Sequence, residues 1–225
     1  MESVVIATPS RGTVAIEYMV SMRETMTALC ARGIPYGFIE TTGNPFIGLA
    51  RDQLVAAFLS RFTETDNLFF IDDDLGWPAE KVIEFILRPQ PIVAGVYRMK
   101  QEQVEFPCNL AVDSSGKIIR NDGMVKALMA PIGFCRIKRV VLEDLAAKSR
   151  VYRESGPNLS YDGPIYEIFE QGIDSRNLFC GEDVAFVRKA LAAGFDVWVD
   201  PDIEFTHRGH WPLRGRYDDI IKVKT

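Results

Sequence analysis

Histidine and cysteine are scarce in this chain: two histidines, at 207 and 210, and four cysteines among 225 residues. Cys30, Cys108, Cys135 and Cys180 are widely spaced and match neither a zinc-binding nor a redox pattern. Reduced, mostly buried thiols are therefore expected, and with them a cytoplasmic location. Neither sign of charge dominates. The formal net charge of -5 supplies no general attraction to nucleic acid or to anionic membranes, so no nucleic-acid partner is expected. No apolar run is long enough to span a bilayer, and no basic segment followed by a long apolar one marks a secretory signal. The sequon at Asn158, Leu159 and Ser160 is accordingly read as a chance match. Repeats and low-complexity tracts are missing too. What remains, 47% hydrophobic and 25% charged, is the composition of a globular domain with a sizeable core.

The most informative segment is a junction. Leu68, Phe69, Phe70 and Ile71 run straight into Asp72, Asp73 and Asp74, followed by Leu75, Gly76, Trp77 and Pro78. Three adjacent carboxylates at the end of a buried element repel one another unless solvent, hydrogen-bond donors or a cation compensates. A divalent metal would do so. A solvated acidic turn capping the helix that begins near Pro78 is the simpler alternative.

Periodicity places this junction in an α/β chain. Val4 to Ala7 predicts a buried strand, stopped by Thr8, Pro9, Ser10, Arg11 and Gly12. Ile16, Met19, Val20, Met26 and Leu29 then follow a helical rhythm up to Gly33. Tyr36 to Glu40 predicts a second strand. Gly48 to Phe62 predicts a helix with Leu49, Leu54, Val55, Phe58 and Leu59 on its apolar face. Leu68 to Ile71 is the third strand, Val82 to Leu87 lies in a helix, and Ile92 to Val96 is another strand. Such alternation implies a mostly parallel central sheet with flanking helices.

Beyond residue 97 the rhythm changes. Val104 to Val112 and Lys117 to Arg120, around Asp113 to Gly116, read as a hairpin. Residues 133 to 137 return to the sheet, ahead of a helix through about 148. Arg150 to Ser175 reads as a long lid-like loop. Gly181 to Ala193 restores helical spacing, and short strands follow at Asp196 to Val199 and Ile203 to Thr206. The whole is read as a single domain with a nucleotide-binding half, 1–97, and a donor and acceptor half, 98–225.

Ligands of open parallel sheets bind beyond the carboxyl ends of the strands. Thr8 to Gly12 and Asp72 to Asp74 both fall at such ends. Gly181, Glu182 and Asp183, and then His207 to His210, are candidates to complete the same cleft. The ordered set FFIDDDLGWP, PIGFCRI, GEDVAFVRKALAAGFDVWVDP and EFTHRGH resembles glycosyltransferases of the GT-A fold, from Val4 to His207.

That resemblance implies a nucleotide-diphospho-sugar transferase. Asp72 and Asp74 match its Asp-x-Asp motif, Asp72 facing the ribose and Asp74 holding the metal, with Asp73 between them as support. His207 matches the histidine that completes the protein's share of the metal site. A carboxylate and an imidazole beside phosphate oxygens suit Mn²⁺ or Mg²⁺, and the histidine favours Mn²⁺. Asp183 is the implied base, with Glu182 orienting substrate. Both acids equally suit a helix start. In a retaining enzyme they would orient substrates without acting as base. Thr8, Pro9, Arg11 and Arg51, together with Asp72 and Asp73, are the implied nucleotide-binding residues, although an ordinary ion pair explains Arg51 as well and a solvated turn explains Arg11. Asp52 stands where relatives carry Asn, which puts a base-binding role there in doubt. Gly133 and Phe134 fall where the donor sugar would lie, and close strand packing would require that glycine too. Arg208, Arg214 and Arg216 are candidates to clamp the diphosphate, and His210 is a candidate on the acceptor side. The implied partners are a nucleoside-diphosphate sugar, UDP-sugar first, and an unidentified hydroxyl acceptor.

Two other functions compete. A haloacid-dehalogenase-type phosphatase also places an Asp-x-Asp after a strand, but Leu75 stands where Thr or Val is expected and no Gly-Asp-x-x-x-Asp follows. A nucleotide-sugar-binding protein without transfer activity would carry the same site. A sugar nucleotidyltransferase would need a glycine-rich N-terminal loop with a lysine, which this chain lacks.

Overall fold

The computed structural model describes residues 2–155, 161–209 and 212–221, apart from the side chains of 212 and 213. Its first half follows the predicted alternation: β1 (Val4–Ser10), α1 (Ile16–Ala31), β2 (Tyr36–Thr42), α2 (Ile47–Arg61), β3 (Asn67–Ile71), a two-residue β4 (Leu75–Gly76), α3 (Ala79–Leu87) and β5 (Ile92–Gly95). The chain then makes β6 (Asn109–Leu110), β7 (Arg120–Asn121), β8 (Met124–Met129), β9 (Phe134–Lys138) and α4 (Arg139–Lys148). Four short strands follow, β10 (Val151–Tyr152), β11 (Ile165–Tyr166), β12 (Gly172–Ile173) and β13 (Phe179–Cys180). After them come α5 (Glu182–Ala192), β14 (Val197–Asp200), β15 (Phe205–Arg208), β16 (Pro212–Gly215) and α6 (Asp218–Ile221).

The central sheet runs β2-β1-β3-β9-β5-β14-β8-β6, with β7 also on β8. It is mixed, which corrects the expectation of a mostly parallel sheet. β1 pairs in parallel with β2 and β3, and β5 with β14. β9 runs antiparallel between β3 and β5, and β8 antiparallel to β14. The reason lies in the connections: β9 is reached through the β6 to β8 excursion rather than through a crossover helix, so nothing forces it into the parallel sense. The predicted hairpin is present, with Val112 bridging Ile118 antiparallel. The strand β8, absent from the sequence reading, is the partner that both of its arms share.

Strand alternation divides the core into two layers. Val5, Ala7, Leu68 and Phe70 face a cluster that includes Leu54, Phe58, Leu142 and Phe186, from α2, α4 and α5. Val4, Ile6, Phe69 and Ile71 face Tyr18, Met22, Leu29, Val82 and Ile86, from α1 and α3. A strand covered on both faces must be apolar at every position, which is why the run before the aspartates is continuous.

Two helix faces depart from the sequence pattern. On α1 the inward residues are Tyr18, Ser21, Met22, Thr25 and Leu29, whereas Ile16 and Met19 are 67% and 54% exposed. Hydroxyls on that face are satisfied inside: Trp77 donates its backbone N–H to Ser21 Oγ and its indole N–H to Thr25 Oγ1. Helix α2 is buried almost all round from Gly48 to Phe58, including Arg51, Asp52 and Gln53. The thiols differ as well. All four cysteines are free, but only Cys135 is buried and Cys30 is exposed.

Residues 150–155 and 161–175 are strapped to α2. A Cβ on Gly48 would meet Phe169 O at 2.4 Å, so glycine lets the strap cross the helix closely. One turn on, Asp52 Oδ1 accepts the backbone N–H groups of Ile168 and Phe169, and Tyr152 donates its hydroxyl to Oδ2. Burial pushes the Asp52 carboxyl up to about 6 in spite of those bonds. Asp52→Ala is expected to cost about 1–3 kcal/mol, because it strands buried donors. It should also open Arg150 and Arg153 to trypsin; urea unfolding and limited proteolysis measure both. The sequon at 158–160 and His210 lie outside the described residues.

Candidate active site

β1, β3 and β5 end at one edge of the sheet, and β9, being antiparallel, begins there. The loops at this edge surround a cavity of about 380 Å³ lined by Pro9, Arg11, Asn44, Arg51, Asp72, Asp73, Asp74, Tyr97, Lys100, Glu182, Asp183 and His207. A neighbouring groove of about 360 Å³ between α1 and β4 is lined by Ile16, Val20 and Trp77, with Glu17 and Glu204 as its titratable groups. Among the described residues the first cavity brings carboxylates, cations and an imidazole together, which makes it the candidate site.

Each aspartate has a separate environment. Asp73 Oδ2 accepts from the Arg11 backbone N–H at 3.2 Å, and its carbonyl accepts from Ala15 N at 2.8 Å. It thereby ties the end of β3 to the β1–α1 loop. Asp72 receives Arg51 Nη2 on both oxygens, at 3.1 and 3.4 Å. Its backbone N–H donates to Gly133 O, and a Cβ on Gly133 would lie 2.2 Å from both Asp72 Oδ2 and Tyr97 Oη. Gly133 is therefore required by close packing against Asp72 and Tyr97. Asp74 pairs through Oδ2 with Lys100, while Oδ1 lies 3.5 Å from His207 Nε2. Burial raises the Asp74 carboxyl, but bonds from His207 and Lys100 outweigh it and hold the group below its ordinary value.

His207 arrives through the small sheet β16-β15-β4, in which it pairs with Leu75, the residue after Asp74. Arg208 N–H donates to Asp74 O at 2.8 Å and locks that register. His207 Nδ1 lies 2.7 Å from Arg98 O; the carbonyl can only accept, so Nδ1 carries a hydrogen, and Nε2 faces Asp74. One carboxylate and one imidazole are donors that would suit a divalent cation. Among the described residues no group of three or more His, Cys, Asp or Glu could hold a metal by itself.

Arg51 is 2% exposed and forms the floor of the cavity. Its guanidinium lies 5.3 Å from the Phe70 ring centroid, near Asp72 and 4.0 Å from Asp183 Oδ1. Nε and Nη1 have no partner among the described residues. One cation thus faces two carboxylates. Burial raises the Asp72 carboxyl and Arg51 pulls it back. Asp183, in the first turn of α5, keeps 27% of its side chain exposed, while its sealed Oδ1 has the Arg51 ion pair but no hydrogen bond among the described residues. Burial, opposed by Arg51 and reinforced by Glu182 and Asp72, pushes it up to about 7. Glu182 accepts a bond from Gln171 Nε2 at 2.9 Å.

Of the residues expected at the site, Pro9, Arg11, Arg51, Asp72, Asp73, Asp74, Glu182, Asp183 and His207 line one cavity. Thr8 is buried with its hydroxyl 2.7 Å from Tyr18 Oη. Phe134 is fully buried against Phe69, Trp77, Phe85 and Phe205. Arg208 pairs with Glu17 and Arg216 with Asp202. Tyr97, Arg98 and Lys100 were missed by sequence reasoning. They lie on the loop after β5, whose position at the same strand edge was their only signal.

No protein-family model and no curated protein matches the sequence. Among solved structures the chain is similar to the catalytic domain of Drosophila β1,4-galactosyltransferase 7 in complex with xylobiose, with 13% identity over 90% of this chain and 66% of that one, at a TM-score of 0.48. It is also similar to a glycosyltransferase involved in glycosylation of the major capsid of PBCV-1, with 10% identity over 63% of this chain and 62% of that one, at a TM-score of 0.36. A third likeness is to 4-diphosphocytidyl-2C-methyl-D-erythritol synthase from Anaerococcus prevotii, with 8% identity over 63% of this chain and 73% of that one, at a TM-score of 0.33. The chain thus spans 66% and 62% of the length of the first two structures. No helix among the described residues is long and apolar enough to cross a membrane.

Proposed function

We propose that this chain is a metal-dependent glycosyltransferase that moves a sugar from a nucleoside diphosphate to a hydroxyl acceptor. The observation that carries this reading is the convergence of Asp72, Asp73 and Asp74, Glu182 and Asp183, and His207 on one cavity at the strand ends. The choice of UDP-sugar as donor rests on the motif resemblance.

In the proposed reaction the acceptor oxygen bonds to the anomeric carbon, the bond from that carbon to the diphosphate breaks, and the acceptor proton passes to a carboxylate. Asp183 is that base in an inverting reaction: its raised pKa matches proton transfer near neutrality. Arg51 fixes Asp72 and Asp183 relative to each other from beneath. Glu182, held by Gln171, orients substrate at the cavity wall. Asp74 and His207 would hold Mn²⁺ or Mg²⁺, which supplies charge neutralisation for the departing diphosphate. Asp72 is assigned to the ribose and Asp73 to bracing the β1–α1 loop.

Calorimetry with UDP, GDP and ADP, each with and without Mn²⁺, tests the reading. UDP is expected to bind tightest and to need the metal; failure of every nucleotide to bind with Mn²⁺ present would overturn the proposal. Asp74→Ala and His207→Ala should each weaken metal-dependent UDP binding by about tenfold or more, the scale of one lost charge-assisted contact. UDP binding without donor turnover would leave a nucleotide-sugar-binding protein in place of a transferase.

A further inference from the structure

The Asp74 carboxylate already has a cation. Lys100 Nζ pairs with Oδ2, and His207 stands at the other oxygen. Lys100 sits in a loop fastened at its base: Met99 N–H donates to Glu105 O, and Arg98 Nη2 donates to Gln101 O and Glu102 O. The same loop accepts the His207 Nδ1–H at Arg98 O. The loop backbone is thus built onto the cation site, while the Lys100 side chain is 39% exposed on a flexible four-carbon stem.

We propose that Lys100 and a divalent metal are alternative occupants of Asp74, and that the metal's arrival transfers Lys100 to the diphosphate of the donor. This rests on the reading of the cavity as a nucleotide-sugar site. A dication at the Oδ1 side, beside His207, repels the ammonium on Oδ2, so each weakens the other's hold on the same carboxylate. That repulsion drives Lys100 off Asp74, and the open direction is the cavity it already lines. There an anionic phosphate is the complementary group. Arg51 cannot take that role, being buried and committed to Asp72 and Asp183. In the absence of metal, Lys100 neutralises Asp74 and lowers the cost of holding three adjacent aspartates together. It is a positioning residue for the donor, and it couples metal binding to nucleotide binding.

The test measures Mn²⁺ affinity without nucleotide, by electron paramagnetic resonance of free Mn²⁺, and then UDP affinity at saturating Mn²⁺, by calorimetry. Lys100→Gln should bind Mn²⁺ about tenfold tighter than wild type, since it removes the competing charge. At saturating Mn²⁺ the same variant should bind UDP about tenfold more weakly, having lost one charge-assisted contact. Lys100→Arg keeps the charge and should restore both values towards wild type. Equal Mn²⁺ affinity in wild type and Lys100→Gln would overturn the exchange, as would the failure of both to bind Mn²⁺. Unchanged UDP affinity at saturating Mn²⁺ would overturn the transfer to diphosphate. If Lys100→Gln tightens Mn²⁺ but neither protein binds UDP, the exchange stands and the nucleotide-sugar reading falls.

Discussion

Asp183→Asn is expected to lower turnover by about 10²–10⁴-fold, the usual contribution of a positioned general base, while UDP affinity in the presence of Mn²⁺ stays close to that of wild type. Asparagine keeps the shape of the side chain but cannot take a proton. Activity of the wild-type protein should rise with pH through about 7, where Asp183 ionises, and the residual activity of the variant should lack that step. Release of UDP from the donor the wild type accepts, followed between pH 5 and 9, measures both. A second consequence concerns folding. The folded pKa lies above the ordinary carboxylate value, so the contribution of Asp183 to stability is fully present below that ordinary value and is lost as pH rises through about 7. Asp183→Asn removes this loss. Its melting temperature should therefore exceed that of wild type at pH 8, with the difference shrinking towards pH 5. The partial exposure of the side chain makes the gain modest. A variant that is inactive and also less stable at pH 8 would mean that Asp183 has a structural role instead.

Arg51→Met should be the more damaging change to the fold. It leaves Asp72 and Asp183 facing each other without their shared cation, and breaking a buried pair from one side costs about 3–5 kcal/mol. Urea unfolding at pH 7.5 should show that loss, and at pH 5 less of it, because the two carboxyls then hold protons more readily. Arg51 also lowers the pKa of Asp183, so any activity left should have its pH midpoint above that of wild type. Arg51→Lys should recover only part of the stability: one ammonium can pair with Asp72 but lacks the planar guanidinium that rests against the Phe70 ring. Unchanged stability in Arg51→Met would show that Asp72 and Asp183 do not depend on it.

Much of the architecture was legible in local patterns. Continuous apolar runs at Val4 to Ala7 and Leu68 to Ile71 mark strands covered on both faces, and β1 and β3 are buried on both. The turn around Asp113 to Gly116 marked its hairpin, which has Asp113 N–H bonded to Lys117 O. Helix faces were less legible where hydroxyls replace apolar groups. Ser21 and Thr25 face inward on α1 because Trp77 supplies donors to them, and no pattern of hydrophobicity on α1 alone reveals a partner 52 residues away. The direction of β9 was hidden for a similar reason: it depends on the route of the preceding connection.

For the site, the sequence by itself determined the chemical inventory. Three aspartates at a strand end, an acidic pair at a helix start and a late histidine are present because of local order alone, and the strand-end rule brings Thr8 to Gly12 and Asp72 to Asp74 to one edge of a sheet of this kind. Only the tertiary structure decided how they are arranged and what each one touches. The pairing of β15 with β4 sets His207 beside Leu75 and hence against Asp74. The burial of α2 places Arg51 beneath Asp72 and Asp183, and makes Asp52 a strap anchor. The loop after β5 brings in Lys100, a residue without any motif around it. Side-chain charges act over a few ångströms, whereas the residues concerned lie 21 to more than 100 positions apart along the chain. Proximity of that kind exists only once the sheet has closed.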